Sequence, residues 1–104
     1  MIDIAKISGL GSFEKETEKL DEYSSRDLYK VQTDGKAFLV VNKNTIELRT
    51  DDKLGKLLTE KYESVMQSRY FGRGGIEIVS SADQLKPSEL DDLIRLSYNL
   101  TAKL

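Results

Sequence analysis

The dipeptide Asp34-Gly35 restricts the fold of this chain more than any other short feature, because it lies between two segments rich in β-forming residues. A tight hairpin turn of type I′ needs a positive φ at both central residues, and Asp-Gly is among the pairs that adopt it most readily. The flanking segments, residues 28–33 and 36–41, carry the Tyr, Val, Phe and Leu residues typical of strands. The pattern predicts an antiparallel β-hairpin over residues 28–41.

A third strand is predicted directly after this hairpin. Residues 42–44 (Asn-Lys-Asn) have the composition of a turn, and in residues 45–49 the apolar Ile46 and Leu48 alternate with polar neighbours. Three sequential antiparallel strands are therefore expected over residues 28–49.

The next segments predict a helix and a second hairpin. Residues 51–62 place four apolar side chains on one helical face, and Thr50 is the expected N-cap. Residues 65–71 and 76–79 flank the glycine-rich segment 72–75 (Gly-Arg-Gly-Gly), which is expected to form the hairpin turn. A phosphate-binding glycine loop is the alternative for that segment, but such loops lead into a helix and this one leads into Ile-Glu-Ile-Val.

Helices are also predicted towards both ends of the chain. Residues 3–8 are expected to be helical, and residues 13–23 form either a surface helix, which we adopt, or a charged loop. Residues 89–103 are expected to form a closing helix, before which Ser88 and Asp91 resemble a capping box. The resulting order, α-βββ-α-ββ-α, belongs to the α+β class: an antiparallel sheet of about five strands packed by helices, in one domain. The expected core consists of Tyr29, Val31, Phe38, Val40, Ile46, Leu48, Leu54, Leu58, Ile76, Ile78, Leu93, Ile94 and Leu100.

The composition removes several kinds of chemistry. The 104 residues include no His and no Cys, so the usual neutral-pH proton shuttle, a thiol nucleophile and the commonest metal ligands are missing. Ser97 has no His to activate it, and the acid pairs at 51–52 and 91–92 lie at predicted helix starts, where the helix dipole explains them. We therefore expect a protein that is not an enzyme and that has no cofactor and no metal site.

The longest apolar run is five residues, at positions 37–41, which is too short for a transmembrane helix or a signal peptide. We therefore expect no membrane partner and a cytoplasmic location. The sequence does not indicate an oligomeric state.

The distribution of charge draws attention to the middle of the chain. A formal net charge of -2 is unusual for a nucleic-acid-binding protein, but residues 24–79 carry a net charge of +2 between acidic ends. Within this part, residues 69–73 bring two cations next to two aromatic rings, a combination that suits a phosphate backbone or a stacked base. Solvated arginines beside packed aromatics are the alternative. The candidate nucleic-acid contacts, beside the two predicted hairpin turns, are Lys36, Arg69 and Arg73, with Lys30 and Lys43 in addition.

Taken in order, several segments resemble the bacterial YjbR/MmcQ family. They are Tyr29-Lys30-Val31 followed by Asp34-Gly35-Lys36-Ala37-Phe38, then Ile46-Glu47-Leu48-Arg49, Lys61-Tyr62, and the closing stretch from Leu90 to Leu104 with its Ser97-Tyr98 pair and final Ala-Lys-Leu. The resemblance covers residues 28–104. It implies a CyaY-like α/β sandwich fold and a "double wing" arrangement that indicates DNA binding. The N-terminal domain of the competence regulator TfoX shares the hairpin pattern and is the second choice of relative.

One loop departs from the family pattern, which usually has Met-Asn-Lys-Lys-x-Trp in this place. Arg73 keeps the first cation, Gly74 stands at the second Lys, and Ile76 stands at the Trp. Two functions therefore remain open: weak DNA binding without sequence specificity through the two hairpin tips, or a protein-interaction module without nucleic-acid binding.

Overall fold

The computed structural model describes Ile4 and residues 7–104, and eight regular elements lie within them. In chain order these are β1 (Phe13–Lys19), β2 (Ser25–Val31), β3 (Ala37–Val41), β4 (Thr45–Arg49), α1 (Asp52–Lys61), β5 (Val65–Ser68), β6 (Gly72–Val79) and α2 (Pro87–Ala102). The α+β class is confirmed.

All six strands join one antiparallel sheet in the order β1-β2-β3-β4-β6-β5. The sheet has one strand more than expected because residues 13–19 form an edge strand, so the predicted helix over residues 13–23 is wrong. Every residue of β1 has a partner in β2, from Phe13 opposite Val31 to Lys19 opposite Ser25. Half of the helix predicted over residues 3–8, namely residues 3, 5 and 6, lies outside the described residues.

The hairpin around Gly35 is confirmed, but its connection is longer than a two-residue turn. Gly35 has a φ of +71° and donates its N–H to the carbonyl of Val31 at 2.8 Å. Asp34 instead accepts a hydrogen bond from the backbone N–H of Lys36 at 3.0 Å. Gly35 supplies the residue with left-handed backbone conformation, and the Asp34 side chain stabilises the remainder of the connection by its hydrogen bond to the main chain.

Both helices pack on the same face of the sheet. Leu58 of α1 and Leu93, Ile94 and Tyr98 of α2 share one buried cluster with sheet residues that include Leu39, Leu48, Ile46, Ile76 and Ile78. Ten of the thirteen expected core residues are buried, and Tyr29, Leu54 and Leu100 are half-buried. Neither described helix is long and apolar enough to cross a membrane.

The helix starts differ from the expected caps. Asp51, and not Thr50, caps α1, because its carboxylate accepts the N–H of Leu54 at 2.7 Å. At α2 the side chain of Glu89 accepts the backbone N–H of Lys86, and Pro87 is the first helical residue. Thr50 is left buried with a hydroxyl that has no hydrogen-bond partner among the described residues.

This unpaired hydroxyl makes a prediction about stability. Thr50→Val should raise the free energy of unfolding in urea by about 1 kcal/mol, since a buried polar group without a partner costs roughly that much or more. Thr101→Val is the matched control, because Thr101 is also buried but its hydroxyl donates to the carbonyl of Ser97 at 2.8 Å. That control should lower stability by about 1 kcal/mol. Equal effects of the two substitutions would contradict the prediction.

Candidate functional site

The face of the sheet opposite the helices carries a row of residues that lie directly across neighbouring strands. The row consists of Leu28, Val40, Glu47, Glu77 and Met66, from β2 to β5. We call this side the helix-free face, since among the described residues both helices lie on the other side. The four residues of the row on β2, β3, β4 and β6 are nevertheless buried.

The two ends of the sheet differ in what they present. Strands β2, β4 and β5 finish at one end, here called the upper end, where the β2–β3 turn (residues 32–36) and the β5–β6 turn (residues 69–71) both lie. The β1–β2 turn (residues 20–24) and the β3–β4 turn (residues 42–44) lie at the opposite, lower end. The two hairpin connections that the sequence singled out therefore share one end of the molecule.

Glu47 is 2% exposed, and its carboxylate is fully hydrogen-bonded. Oε1 accepts the hydroxyl of Ser68 and the backbone N–H of Tyr70, each at 2.8 Å, and Oε2 accepts the amide of Asn42 at 2.8 Å. A carboxylate on β4 thus fixes the backbone of the β5–β6 turn, which must cross β6 to reach it.

Glu77 is 1% exposed and lies opposite Glu47 on β6. Its carboxylate accepts the hydroxyl of Thr45 at 2.7 Å and the guanidinium of Arg69 through Nε at 3.0 Å and Nη2 at 2.7 Å. Hydrogen bonds from Arg69 hold the pKa of Glu77 below its usual value, and Thr45 adds to this against the effect of burial. Two buried carboxylates on adjacent strands are stabilised by these donors.

The β5–β6 turn therefore folds back over the helix-free face. The ring of Tyr70 reaches β2, where the guanidinium of Arg26 lies 5.1 Å from the ring centroid. The rings of Tyr70 and Phe71 meet edge to face at 4.9 Å, and the guanidinium of Arg49 lies 4.6 Å from the centre of Phe71. We call these four side chains, Arg26, Tyr70, Phe71 and Arg49, the cation–aromatic stack.

A glycine makes room for the stack. An added Cβ at Gly75 would lie 2.5 Å from the carbonyl oxygen of Leu48 and 2.7 Å from the Cβ of Phe71. Any side chain at this position would push Phe71 away from the sheet, so the glycine-rich segment serves close packing of an aromatic ring.

Arg49 is held from three sides. Its Nε donates to the carbonyl of Ala37 at 2.9 Å, its ring contact is Phe71, and its backbone N–H donates to the hydroxyl of Ser97 at 2.8 Å. Burial lowers the pKa of Arg49, while Tyr70 and Asp34 act in the opposite direction. The hydroxyl of Ser97 also donates to the carbonyl of Phe38, so this serine joins α2 to two strands.

The structure gathers four of the five sequence candidates at or near the upper end. Lys36 and Arg73 are exposed there, and neither has a carboxylate within salt-bridge distance among the described residues. Lys30 pairs with Glu16 on β1, and the bond raises the pKa of Lys30. Arg69 forms an ion pair with Glu77, although the side chain of Arg69 is 77% exposed.

Lys43 does not belong with the others. It lies in the β3–β4 turn at the lower end of the sheet, away from both hairpin turns of the upper end. A surface formed by the five candidates together is not present in this fold.

Sequence reasoning missed the residues that organise this face. Arg26 and Arg49 lie on strands far from the β5–β6 turn in sequence, and only the strand order brings them to it. The glutamates had a detectable signal: Ile46-Glu47-Leu48 and Ile76-Glu77-Ile78 each place a single acid between apolar residues of a strand. Such an acid lies on the opposite face from its neighbours.

Two hollows in the described surface lie away from this face. One of about 310 Å³ is lined by Glu63, Ser64, Val79, Ala82 and Gln84, and one of about 500 Å³ lies along the outer side of α1 near Leu57. The described residues contain no group of three or more His, Cys, Asp or Glu residues able to hold a metal ion. The upper end of the helix-free face is where two arginine side chains meet the Tyr70–Phe71 ring pair.

Comparison of the chain with protein-family models, with curated proteins and with solved structures finds no match. The resemblance to the YjbR/MmcQ family therefore stays a prediction, and function has to be argued from the helix-free face itself.

The Glu77 contacts predict how stability depends on pH. Because the folded-state pKa of Glu77 lies below the unfolded value of about 4.3, ionised Glu77 stabilises the fold above that pH. This contribution is lost as the pH falls through the folded-state value. Urea unfolding between neutral pH and about pH 3 should therefore show a decline in stability that is shallower in Glu77→Gln.

Arg69→Ala tests the cause of the effect. The substitution removes the hydrogen bonds that contribute most to the lowered pKa of Glu77. The stability of the Arg69→Ala protein should therefore also change less steeply with pH, below about pH 5, than that of the unsubstituted protein. Profiles of both variants that run parallel to the unsubstituted protein would rule out Glu77 as the titrating group.

Proposed function

We propose that this domain is a non-enzymatic protein that binds DNA weakly and without sequence specificity at the upper end of the helix-free face. One observation carries the proposal: both upper turns and two exposed cations without carboxylate partners among the described residues lie at the upper end of the sheet, where the Tyr70–Phe71 pair lies over the helix-free face. Cations that contact phosphates and rings that accept stacked bases are the two elements of sequence-independent binding.

The roles of the candidates follow from their neighbours. Lys36 and Arg73 contact phosphates, because no carboxylate of the described residues neutralises them. Arg69 is a positioning residue, since its guanidinium is bound to Glu77 and fixes the turn that carries Tyr70. Tyr70, 39% exposed, offers the ring at the surface.

The resemblance to the YjbR/MmcQ family supports the same proposal. Its Ser-Tyr pair falls on α2, where Ser97 bonds to two strands and the hydroxyl of Tyr98 donates to the carbonyl of Ser12 at 2.9 Å. Residues that carry the resemblance therefore hold the domain together. The family's two-winged mode of binding is altered in our proposal, since the β5–β6 turn lies against the sheet.

A second function, a protein-interaction module, is favoured by a different observation. Three cations of the helix-free face are neutralised, Arg26 by Glu18, Lys30 by Glu16 and Arg69 by Glu77. A surface with balanced charge and an exposed aromatic ring suits a protein partner. A partner that copurifies after nuclease treatment, and that is lost with Tyr70→Ala, would favour this function.

The test of DNA binding is a salt titration with duplex and single-stranded oligonucleotides, followed by fluorescence anisotropy. Arg73→Ala should weaken binding and lower the slope of log K against log salt by about 0.9 for duplex and about 0.7 for single strands, one phosphate contact in each case. Lys43→Ala removes the same charge at the lower end and should leave both affinity and slope unchanged.

Two results would overturn the proposal. One is the absence of binding to either oligonucleotide at low salt. The other is an equal loss from Arg73→Ala and Lys43→Ala, which would indicate general charge attraction and not a defined face.

A further inference from the structure

Arg49 differs from its neighbours Arg26 and Arg69 in having no carboxylate within salt-bridge distance among the described residues. The other two arginines each bind a glutamate side chain, whereas the bond from the side chain of Arg49 goes to a main-chain carbonyl. A half-buried cation without a counter-ion is costly unless a polar partner compensates it.

The guanidinium of Arg49 is oriented before any ligand arrives. Nε is fixed on the carbonyl of Ala37, and Cζ lies over the ring of Phe71, 4.6 Å from its centroid. Phe71 is itself fixed, since its backbone N–H donates to the hydroxyl of Ser68 at 2.8 Å and its ring lies over Gly75. The edge formed by Nη1 and Nη2 remains, and this edge matches two oxygens of an oxyanion.

Further polar groups surround this edge. Lys30 is paired across the strands with Ala37, whose carbonyl accepts the Nε of Arg49, and the ring of Tyr70 packs on the Phe71 ring beneath the Arg49 guanidinium. Lys30 and Tyr70 are therefore the neighbours of Arg49 that can offer further donors to an anion. Asp34 lies outside salt-bridge distance of Arg49, and its negative charge opposes an anion at this site, so the neighbouring donors have to outweigh it.

We infer that Arg49 binds one phosphate group through two parallel N–H···O bonds, with Lys30 and Tyr70 as supporting donors. The inference deepens the proposed function when the phosphate belongs to DNA, and a phosphomonoester of a small molecule would use the same contacts. A carboxylate brings only two oxygens, so it engages the guanidinium edge but leaves the supporting donors without acceptors.

The experiment follows the side-chain Nε–Hε resonance of Arg49 by NMR in the unsubstituted ¹⁵N-labelled protein. The probes are inorganic phosphate, a nucleoside monophosphate, a single-stranded oligothymidine and acetate, each at constant ionic strength. The resonance should shift and saturate with the three phosphate-bearing probes and shift little with acetate. No shift with any phosphate-bearing probe would overturn the inference, and so would equal saturation with acetate.

Variants separate the effect of the two parallel hydrogen bonds from the effect of the positive charge. Arg49→Ala should weaken phosphate binding about tenfold or more, the loss expected for charge-assisted hydrogen bonds. Arg49→Lys keeps the charge but cannot form two parallel bonds, so most of the loss should remain. Lys53→Ala, on α1 at the other side of the sheet, is the matched control and should bind as the unsubstituted protein does. Equal loss from Arg49→Ala and Lys53→Ala would contradict the inference.

The outcomes distinguish this inference from the proposed function. If the oligonucleotide binds and its affinity falls with Arg73→Ala but not with Arg49→Ala, DNA binding stands and the Arg49 site is wrong. If phosphate and the monophosphate shift Arg49 while the oligonucleotide does not bind, the Arg49 site stands and DNA binding is wrong.

Discussion

The pairing of Glu47 with Glu77 is the interaction on which the helix-free face depends. Two carboxylates at opposed positions of adjacent strands would repel each other and lose hydration, and both are almost fully buried. The donors that offset these costs come largely from the β5–β6 turn: the backbone of Tyr70 for one carboxylate and the guanidinium of Arg69 for the other. The turn is therefore drawn onto the sheet, and does not project from it.

The candidate ligand site is a consequence of that constraint. Because the turn lies flat, Tyr70 and Phe71 reach across the sheet, and each ring meets an arginine from another strand. Phe71 then orients Arg49, a half-buried cation that forms no salt bridge among the described residues. Glu47 and Glu77 thus fix the position of the candidate site through the turn, although neither is part of it. Supporting residues commonly play this role in preorganised sites.

Local patterns predicted most of the fold. The hairpin at Gly35, the strand with Ile46 and Leu48, and both described helices follow from turn chemistry and from apolar periods of two and 3.6 residues. Residues 13–19 were misread because glutamate and lysine favour helices and no apolar alternation opposes them. Pairing with β2 overrides that preference, and the charges suit an edge strand, which must not recruit other chains.

The candidate site was predictable only in part. The cation and aromatic neighbours in residues 69–73 were visible, and so were the glycines, although their turn lies three residues earlier than expected. Arg26 and Arg49 could not be recognised as part of the site, since only the strand order β1-β2-β3-β4-β6-β5 brings them to the turn. Lys43, expected only as an additional contact, lies at the lower end, because turns adjacent in sequence alternate between the two ends of an antiparallel sheet.

Hydrogen exchange at the backbone amide of Tyr70 tests the account most directly. This amide lies in a turn, but it donates to a buried carboxylate, so it should exchange slowly, at a rate near that of the paired amides of β6. Glu47→Gln should remove much of this protection while leaving the amides of β6 slow. Exchange of the Tyr70 amide as fast as that of Lys43 in the exposed lower turn would show that the turn does not rest on Glu47, and the account of the helix-free face would then be wrong.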